Sequence, residues 1–417
     1  MEQRKLYRTL DNIIKEAPNY TNIEELLVYV IKQIISLEDI NIIGGRLWKL
    51  NDNKTGYRLV EQIGDVEHID KNYHFTIRDY PTLKEIGRQR TIVARETDAY
   101  LIKKGIHKYS ATGVGEKFKV KDKKNNNFFF LYNYLIAFNG RRTDEEFLNT
   151  LNIISVMLSS VIRTKRIEKR ERENIEELEK ASDIQKSILP EHELIFGNYE
   201  IFGISVPEKI VGGDFFDYIK ISDDYKLVIA IGDAASKGVS AAAQALYVSG
   251  ALKMGVDYDI SSTSLIRKIN NLVYDTFPFE RFVTLFYCEL YKDKKGLCVY
   301  INAGHNSPLF FKNTSGAIED LITTGPVLGP VPNQTYYTES FNLNLNDILV
   351  LYTDGIIEAA NKHFEFYGEP RLKKLLTENN NSSAKEICEK IIEDVQMFSA
   401  DGKYSDDKTV VVIKRIN

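Results

Sequence analysis

Four short acidic segments follow one another in the second half of this 417-residue chain. They are GGDFFD at 212–217, GDAASKG at 232–238, YTDG at 352–355 and SDDKT at 405–409. Each segment places an aspartate beside a predicted strand. Carboxylate oxygens are ligands that hard divalent cations such as Mg²⁺ and Mn²⁺ prefer, and such ions also keep several waters when few carboxylates bind them. The pattern therefore indicates a carboxylate cage for divalent cations, with a metal-activated water as the expected nucleophile.

Apolar runs next to these aspartates predict the strands that position them. YKLVIAIGD (225–233) and DILVLYTDG (347–355) are short, continuous and rich in branched residues, as expected of buried strands that end in acids. A third run, TVVVIKRI (409–416), follows Asp406 and Asp407. Any one segment taken alone is compatible with an ordinary Asp-Gly turn. Four such segments, each attached to a strand pattern, favour convergence of the carboxylates at one place.

The span from about 184 to 416 resembles the metal-dependent Ser/Thr protein phosphatases of type 2C, the PPM superfamily. The likeness is to the bacterial branch of sporulation and sigma-factor-regulator phosphatases. Besides the acidic segments it rests on DIQKSILPE (183–191), NAGHNSPL (302–309) and GPVLG (325–329). The resemblance implies an α+β fold, an α-β-β-α sandwich with the metals at one edge of two antiparallel sheets. It also implies that water activated by two Mn²⁺ or Mg²⁺ ions hydrolyses phosphoserine or phosphothreonine.

The same resemblance assigns metal ligands, which are also the expected catalytic residues. Asp214 and Asp233 would hold one ion together with the carbonyl oxygen of Ala234. Asp354 and Asp406 would hold the other ion together with Asp233, which would bridge both. The expected substrate is a phosphorylated regulatory protein, an antagonist of the STAS type that frees a sigma factor.

The sequence leaves the roles of several neighbouring residues open. Asp217 and Asp407 are close enough in sequence to substitute for the ligands or to support them. His305 and Asn306 lie in the NAGHNSPL segment, where His305 could contact phosphate or, equally, could be a structural histidine bonded to backbone. One departure from the family is Ser236, which stands where glycine is common, so the shape of that loop is open.

Other functions are compatible with parts of this pattern. GGDFF is similar to the hairpin of diguanylate cyclases, but Phe215 stands where an acid is expected and the later aspartates would have no role. A non-catalytic, phosphoprotein-binding pseudophosphatase is the second alternative; Ser236 is compatible with it, whereas the retention of all four acids argues against it. The Cys-x5-Arg cradle of thiol phosphatases is absent from the sequence around the three cysteines, Cys288, Cys298 and Cys388.

The N-terminal half predicts a separate α/β domain over residues 1–163. Its predicted elements are a helix over 23–35, strands over 40–50 and 56–64, a hairpin over 118–138 around polar residues 121–127, and a closing helix that begins at a capping box of Thr143 and Glu146. This order resembles a GAF-type sensor domain, with a PAS domain as the alternative. Trp48 and Tyr80 could line a pocket for a small-molecule ligand, or could be plain core.

A charged linker, residues 164–190, joins this half to a phosphatase domain at 191–417. The charged run RTKRIEKRERENIEELEK begins at Arg163 and fills most of this linker. It has opposite charges four residues apart and no Gly or Pro before Pro190, which predicts a continuous helix. A weak heptad seam predicts a coiled-coil-like homodimer, with a solvated single helix as the alternative. Its members are Ile167, Asn174, Leu178, Ala181 and Ile188. Ile184 and Ile188 are also expected to pack against helices of the phosphatase domain.

Composition limits the remaining possibilities. The net charge of −4 argues against nucleic-acid binding as the main task, and a hydrophobic content of 43% permits real cores. Three cysteines in 417 residues fit a reducing compartment. The first residues show no apolar signal region, and the apolar run at 153–162 is too short to span a bilayer. We therefore expect a cytoplasmic protein.

Overall fold

The computed structural model describes most of the chain. The described residues are 3–36, 42–80, 82–95, 97, 99–121, 128–140, 145–221, 225–258, 260–278, 280–402 and 404–416. They form two compact units, Met1–Glu173 and Asn174–Asn417. The predicted turn at 122–127, the predicted helix start at Thr143 and the first two residues of the strand predicted at 40–50 lie outside the described residues.

The N-terminal unit is built around one antiparallel sheet of six strands, in the order β3-β2-β1-β6-β5-β4. Its elements are α1 (Gln3–Glu16), a 3₁₀ turn (Ala17–Asn19), α2 (Ile23–Ile35), β1 (Ile42–Leu50), β2 (Gly56–Gly64), β3 (His74–Thr76), α3 (Leu83–Gln89), β4 (Thr91–Ala94), α4 (Ala99–Lys103), β5 (Tyr109–Lys121), β6 (Phe128–Gly140) and α5 (Glu145–Ile188). Strands β5 and β6 pair from Ser110 and Phe138 out to Lys121 and Phe128, which confirms the predicted hairpin in its described part.

The two faces of this sheet bury different cores. Helix α2 begins at the cap Asn22, whose side chain accepts a hydrogen bond from the backbone N–H of Glu24. Its apolar stripe packs with α5 on one face of the sheet. The other face is covered by residues from α3 and α4, and it buries an aromatic cluster that includes Trp48 and Phe75. Period-two alternation along β1 explains the division, because Leu47 belongs to the first core and Trp48 to the second.

Helix α5 is longer than the separate closing helix and linker helix that the sequence predicted. It runs through 44 residues and ends two residues before Pro190. By length and composition alone it is the one described helix that could cross a membrane, which the short apolar run at 153–162 did not predict. Its apolar residues Leu151, Ile154 and Leu158 are buried in the core that α5 shares with α2. This part of α5 is therefore a core helix of the N-terminal unit.

The C-terminal unit contains two antiparallel sheets, in the orders β15-β12-β11-β10-β9 and β14-β13-β16-β17-β8-β7. Its strands are β7 (Glu193–Phe196), β8 (Tyr199–Val206), β9 (Phe215–Lys220), β10 (Lys226–Ala234), β11 (Val283–Tyr291), β12 (Leu297–Ala303), β13 (Leu309–Lys312), β14 (Ala317–Asp320), β15 (Glu339–Asn342), β16 (Ile348–Tyr352) and β17 (Lys408–Arg415). Its helices are α6 (Val239–Val256), α7 (Ser262–Thr276), α8 (Asp354–Ile357), α9 (Gly368–Glu378) and α10 (Ala384–Ser399).

Three stacked cores show that these elements form the expected α-β-β-α sandwich. Helices α6 and α7 cover one side of the first sheet, where Val228 and Ala230 of β10 are buried. Ile229 and Ile231 of the same strand point into the core between the two sheets. Helices α8 to α10 cover the outer side of the second sheet. The strands are buried on both faces, which explains why their sequences are continuous apolar runs rather than alternating ones.

Candidate active site

The predicted acidic ligands lie at strand ends of both sheets. Asp214 directly precedes β9, and Asp233 is the penultimate residue of its antiparallel neighbour β10. In the other sheet Asp354 follows β16 by two residues, and Asp406 precedes the adjacent antiparallel strand β17. The two strand-end pairs meet, because the Thr353 hydroxyl donates a 2.6 Å hydrogen bond to the carboxylate of Asp214. The structure therefore brings the two sheets together at their acidic edge.

Electrostatics within this group are unfavourable without a cation. Asp214 is 3% exposed; its burial and the nearby charge of Asp233 raise its pKa. Burial, together with the charge of Asp354 and other carboxylates, raises the pKa of Asp233 to about 7. The pKa of Asp354 is raised by burial and by the charges of Glu358 and Asp406. Buried carboxylates that repel one another are the donor set that a divalent cation stabilises.

The side chains are not arranged as a closed metal cage. Among the described residues no group of three or more His, Cys, Asp or Glu side chains surrounds a common metal position. Several of the carboxylates accept hydrogen bonds from protein groups instead, as Asp214 does from Thr353 and as Asp406 does from Lys237 at 3.0 Å. The donor set still fits a hard cation, since all of its donors are oxygen atoms and the carboxylates share one edge.

Asp407 has a structural role that the sequence left open. Its two carboxylate oxygens accept hydrogen bonds from the backbone N–H groups of Glu208, at 2.7 Å, and Gly213, at 2.6 Å. A Cβ atom at Gly212 would lie 2.7 Å from the same carboxylate, so this close approach requires glycine. Asp407 therefore fixes the backbone of the GGD segment that carries Asp214.

Asp217 makes its contacts away from the other aspartates. It pairs with Ala230 in the interior of the sheet, and its carboxylate is bonded to Ser249 at 2.5 Å and to Lys253 at 3.0 Å. Both partners belong to α6. Asp217 thus anchors α6 to the first sheet, and the structure does not bring it into the group of candidate ligands.

The contacts of His305 favour the structural interpretation of this residue. It is 4% exposed; its Nδ1 atom lies 2.9 Å from the Thr284 hydroxyl, and its N–H donates to the side chain of Asn302. Burial lowers the pKa of His305 to about 4, so the ring is neutral near pH 7. Asn306 beside it is half-buried. Thr284 pairs with Asp233 in the sheet, so His305 supports the strand that carries this aspartate.

Ser236 is accommodated without strain in the GDAASKG turn. The residues with positive φ include Gly238 but not Ser236, so this position does not need glycine for its backbone conformation. The Ser236 hydroxyl donates a 2.8 Å hydrogen bond to Gln244, a fully buried residue of α6. The departure from the family pattern is therefore compatible with the loop.

Three contributors to the site were missed from the sequence. Thr353 joins the two strand ends, and its position directly before Asp354 in the YTDG segment was a usable signal. Lys237 lies between Asp406, at 3.0 Å, and Glu208, at 3.3 Å, and offsets part of the negative charge. Gln185 of α5 is buried; its side-chain amide donates to the Gly212 carbonyl at 2.8 Å and accepts from the Gly212 N–H at 3.3 Å. The last turns of α5 thereby contact the GGD segment.

Comparison with known proteins agrees with this geometry. A family model described as Stage II sporulation protein E (SpoIIE) matches residues 223–416. These residues belong to the SpoIIE family of PPM phosphatases. Protein IcfG of Synechocystis sp. is 32% identical over 267 residues, which cover 57% of this chain and 41% of IcfG. The chain thus spans less than half of that relative.

A second relative and one solved structure extend the comparison. Phosphoserine phosphatase RsbU of Bacillus subtilis is 29% identical over 243 residues, covering 57% of this chain and 70% of RsbU. The SiaA-PP2C domain of Pseudomonas aeruginosa is 18% identical with a TM-score of 0.51, covering 60% of this chain and 99% of that domain. This structural likeness supports the fold of the SpoIIE-type domain. The predicted membership of the sporulation and sigma-regulator branch is confirmed.

Proposed function

We propose that this protein is a metal-dependent protein-serine/threonine phosphatase. The observation that carries the proposal is the meeting of the Asp214–Asp233 and Asp354–Asp406 strand ends in a domain homologous to RsbU. The pseudophosphatase alternative is less favoured, because all four acids are retained and Ser236 fits its loop. A diguanylate cyclase is not supported, since the GGDFF segment leads into a strand of the SpoIIE-type sandwich.

Two divalent ions, Mn²⁺ or Mg²⁺, are the proposed cofactors. Asp214, Asp233 and the Ala234 carbonyl would hold one, and Asp354 and Asp406 would join Asp233 in holding the other. When bound, such ions supply a hydroxide nucleophile at neutral pH and stabilise negative charge on phosphoryl oxygens.

The chain itself contributes positioning to the reaction. Thr353 keeps the carboxylate of Asp214 oriented, and Asp407 fixes the peptide groups of the loop before it. Lys237, which is about half exposed, lies 3.0 Å from Asp406 and offsets part of the negative charge that would repel a phosphoryl group. These roles need no covalent phosphoenzyme.

We further propose that the substrate is a phosphorylated regulatory protein, an antagonist of the STAS type. The support is the resemblance to the sigma-factor-regulator branch. The Asp354→Asn variant should retain phosphorylated substrate, because it keeps the shape of the site while weakening one metal position. Phosphopeptide identification of the retained protein checks this, with Asp257→Asn, at the exposed C-terminal cap of α6, as the matched control. Retention of a protein without phosphoserine or phosphothreonine, or equal retention by both variants, would contradict the substrate class.

We propose that the contact between Gln185 and Gly212 couples α5 to metal binding. Gln185→Ala removes both hydrogen bonds to the GGD segment, so the Mn²⁺ concentration for half-maximal activity should rise about tenfold, as for other residues that orient metal ligands. Manganese titration of activity measures the change. Lys186→Ala, at the exposed neighbouring position, is the control and should leave the titration unchanged. If the manganese titrations of the two variants were identical, the proposed coupling between α5 and metal binding would be refuted.

The N-terminal unit is proposed to be a GAF-like sensor, with a PAS domain as the alternative. Its support is the six-stranded antiparallel sheet with α2 and the closing helix α5 packed on one face. The protein is proposed to be located in the reducing cytoplasm, and the support is that its three cysteines are free and buried.

The linker part of α5 is proposed to form a homodimer. The expectation that Ile184 packs against phosphatase helices is wrong, because its side chain is 59% exposed. Ile188 is 37% exposed, and its carbonyl accepts a 3.1 Å hydrogen bond from Lys253 of α6. Ser182 and Gln185 are the buried residues of these turns instead. Ile167 and Ile175 are also exposed, at 48% each, so α5 offers apolar side chains that a second copy could cover.

Insertion of Gly-Gly after Glu177 tests the dimer and the coupling together. Light scattering should give the unmodified protein twice the mass of one 47.8 kDa chain. The insertion breaks helix continuity, so basal turnover should lose its dependence on the N-terminal unit. A seven-residue helical insertion at the same point preserves the heptad register and should behave like the unmodified protein. A monomer with unchanged turnover in the Gly-Gly variant would make the linker a passive spacer.

A further inference from the structure

The N-terminal unit contains a cavity on the face of the sheet opposite α2 and α5. Its volume is about 40 Å³, so the cavity is small when it holds no ligand. Most of its wall is apolar and aromatic, with Trp48, Phe75, Tyr80, Leu101 and Leu135 among the lining residues. A mainly apolar wall with a few polar groups is the character, though not the size, of pockets that bind small organic molecules. Both aromatic residues that the sequence singled out, Trp48 and Tyr80, line it.

One charged side chain, Arg46 of β1, lines this otherwise apolar cavity. Arg46 is 3% exposed, and it donates hydrogen bonds to the side-chain oxygen of Asn139 and, at 2.8 Å, to the backbone carbonyl of Glu67. Its Nε atom has no hydrogen-bond partner among the described residues. The described part of the chain also gives Arg46 no ion pair with a carboxylate. Burial lowers the pKa of Arg46, which reflects the cost of a desolvated positive charge.

A surface cleft reaches Arg46 from outside. The cleft shares Arg46, Ile106 and Asn139 with the cavity, and its other titratable lining residues are Asp65, Glu67, His68 and Lys104. Arg46 therefore lies where a solvent-facing cleft meets the apolar interior. A ligand that enters here would place a polar end near the guanidinium group and an apolar body against Trp48.

We propose that this cavity binds a small organic carboxylate with an apolar body, and that Arg46 is the residue that holds the carboxylate group. A guanidinium matches a carboxylate in planar, two-point geometry, and a neutral ligand would leave the buried charge without a counterion among the residues that the structure describes. The aromatic wall favours a ligand with a flat aromatic or an aliphatic body over a sugar or a nucleoside triphosphate. This inference does not depend on phosphatase activity, because it concerns binding to the N-terminal unit alone.

The 417-residue chain allows a direct test, since Trp48 is its only tryptophan. We expect phenylacetate, benzoate or hexanoate, at constant ionic strength, to change Trp48 emission saturably and to raise the melting temperature. The matched neutral amides should bind at least tenfold more weakly. Arg46→Met should lose the preference for the acid over the amide, whereas Arg58→Met, at an exposed position of the adjacent strand β2, should keep it.

A second variant covers the case in which Arg46→Met fails to fold. Ala111 lines the cavity and is 1% exposed, so Ala111→Leu fills the space while leaving Arg46 in place. This variant should fold, by circular dichroism, and lose carboxylate binding. The proposal is overturned if no acid of the panel binds the folded protein, if acids and amides bind equally, or if folded Arg46→Met or Ala111→Leu binds the acids like the unmodified protein.

Discussion

Asp233→Asn should lower turnover of p-nitrophenyl phosphate and of a phosphoprotein by about a thousandfold. The reason is that Asp233 interacts with Asp214 and with Asp354, and is therefore the carboxylate placed to serve both proposed metal positions. Without correctly bound metal ions the transition state loses several kcal/mol of charge stabilisation. About 1.4 kcal/mol corresponds to a tenfold change in rate. Steady-state assays at saturating Mn²⁺ measure the loss.

The control for this variant is Asp257→Asn, an equal change of charge at an exposed helix end. It should keep the turnover of the unmodified protein. Asp223→Asn is a less suitable control, because Asp223 lies outside the described residues. Equal losses in the two variants would refute the bridging role of Asp233, as would full activity in Asp233→Asn.

Removal of divalent cations should abolish turnover entirely, and addition of Mn²⁺ or Mg²⁺ should restore it. The physical basis is that the buried carboxylates repel one another and offer only oxygen donors, which soft metals do not prefer. Assays after treatment with EDTA, followed by titration with each ion, test the prediction. Activity that persists after complete chelation would refute a metal-dependent mechanism.

Thiol alkylation provides the matching control for chelation. All three cysteines are free and buried, and burial raises the pKa of Cys388 and of Cys298. Iodoacetamide should therefore leave turnover nearly unchanged, since only exposed thiolates react quickly. Rapid inactivation by the reagent would point to a thiol in the reaction.

The sandwich and its acidic edge could be predicted because both depend on local patterns. A strand buried on both faces appears as a continuous apolar run, and the aspartates that end β10 and β16 are next to those runs in sequence. The role of Asp407 could not be predicted in this way. It depends on the Glu208 and Gly213 N–H groups almost two hundred residues earlier, and no local pattern reports such a contact.

The linker shows a different limit of sequence analysis. Helical spacing identified α5 and its apolar positions, but not which side of the helix meets the domain. The polar Gln185 is the buried contact, while Ile184 beside it is exposed, because a backbone loop is bound through an amide rather than through an apolar patch.

Arg46 was missed for a related reason, although a signal existed. It shares the period-two face of β1 with Trp48 and Leu50, both of which belong to the buried aromatic core. A charged residue in a strand is usually taken to face solvent. The parity of the strand instead places Arg46 on the buried face.

The position of β17 has a consequence for synthesis of the protein. This strand is the last of its sheet in chain order, yet it lies between β16 and β8 and pairs with both. The hydroxyls of Thr409 and Ser205 are 2.8 Å apart, although the ribosome adds these two residues 204 positions apart. Such distant pairing is slow to form, and until the ribosome has released β17 the inner edges of β8 and β16 stay open. A nascent or truncated chain that stops before residue 408 would therefore expose two unpaired strand edges to other chains. All six strands of the N-terminal sheet could already be paired in such a chain.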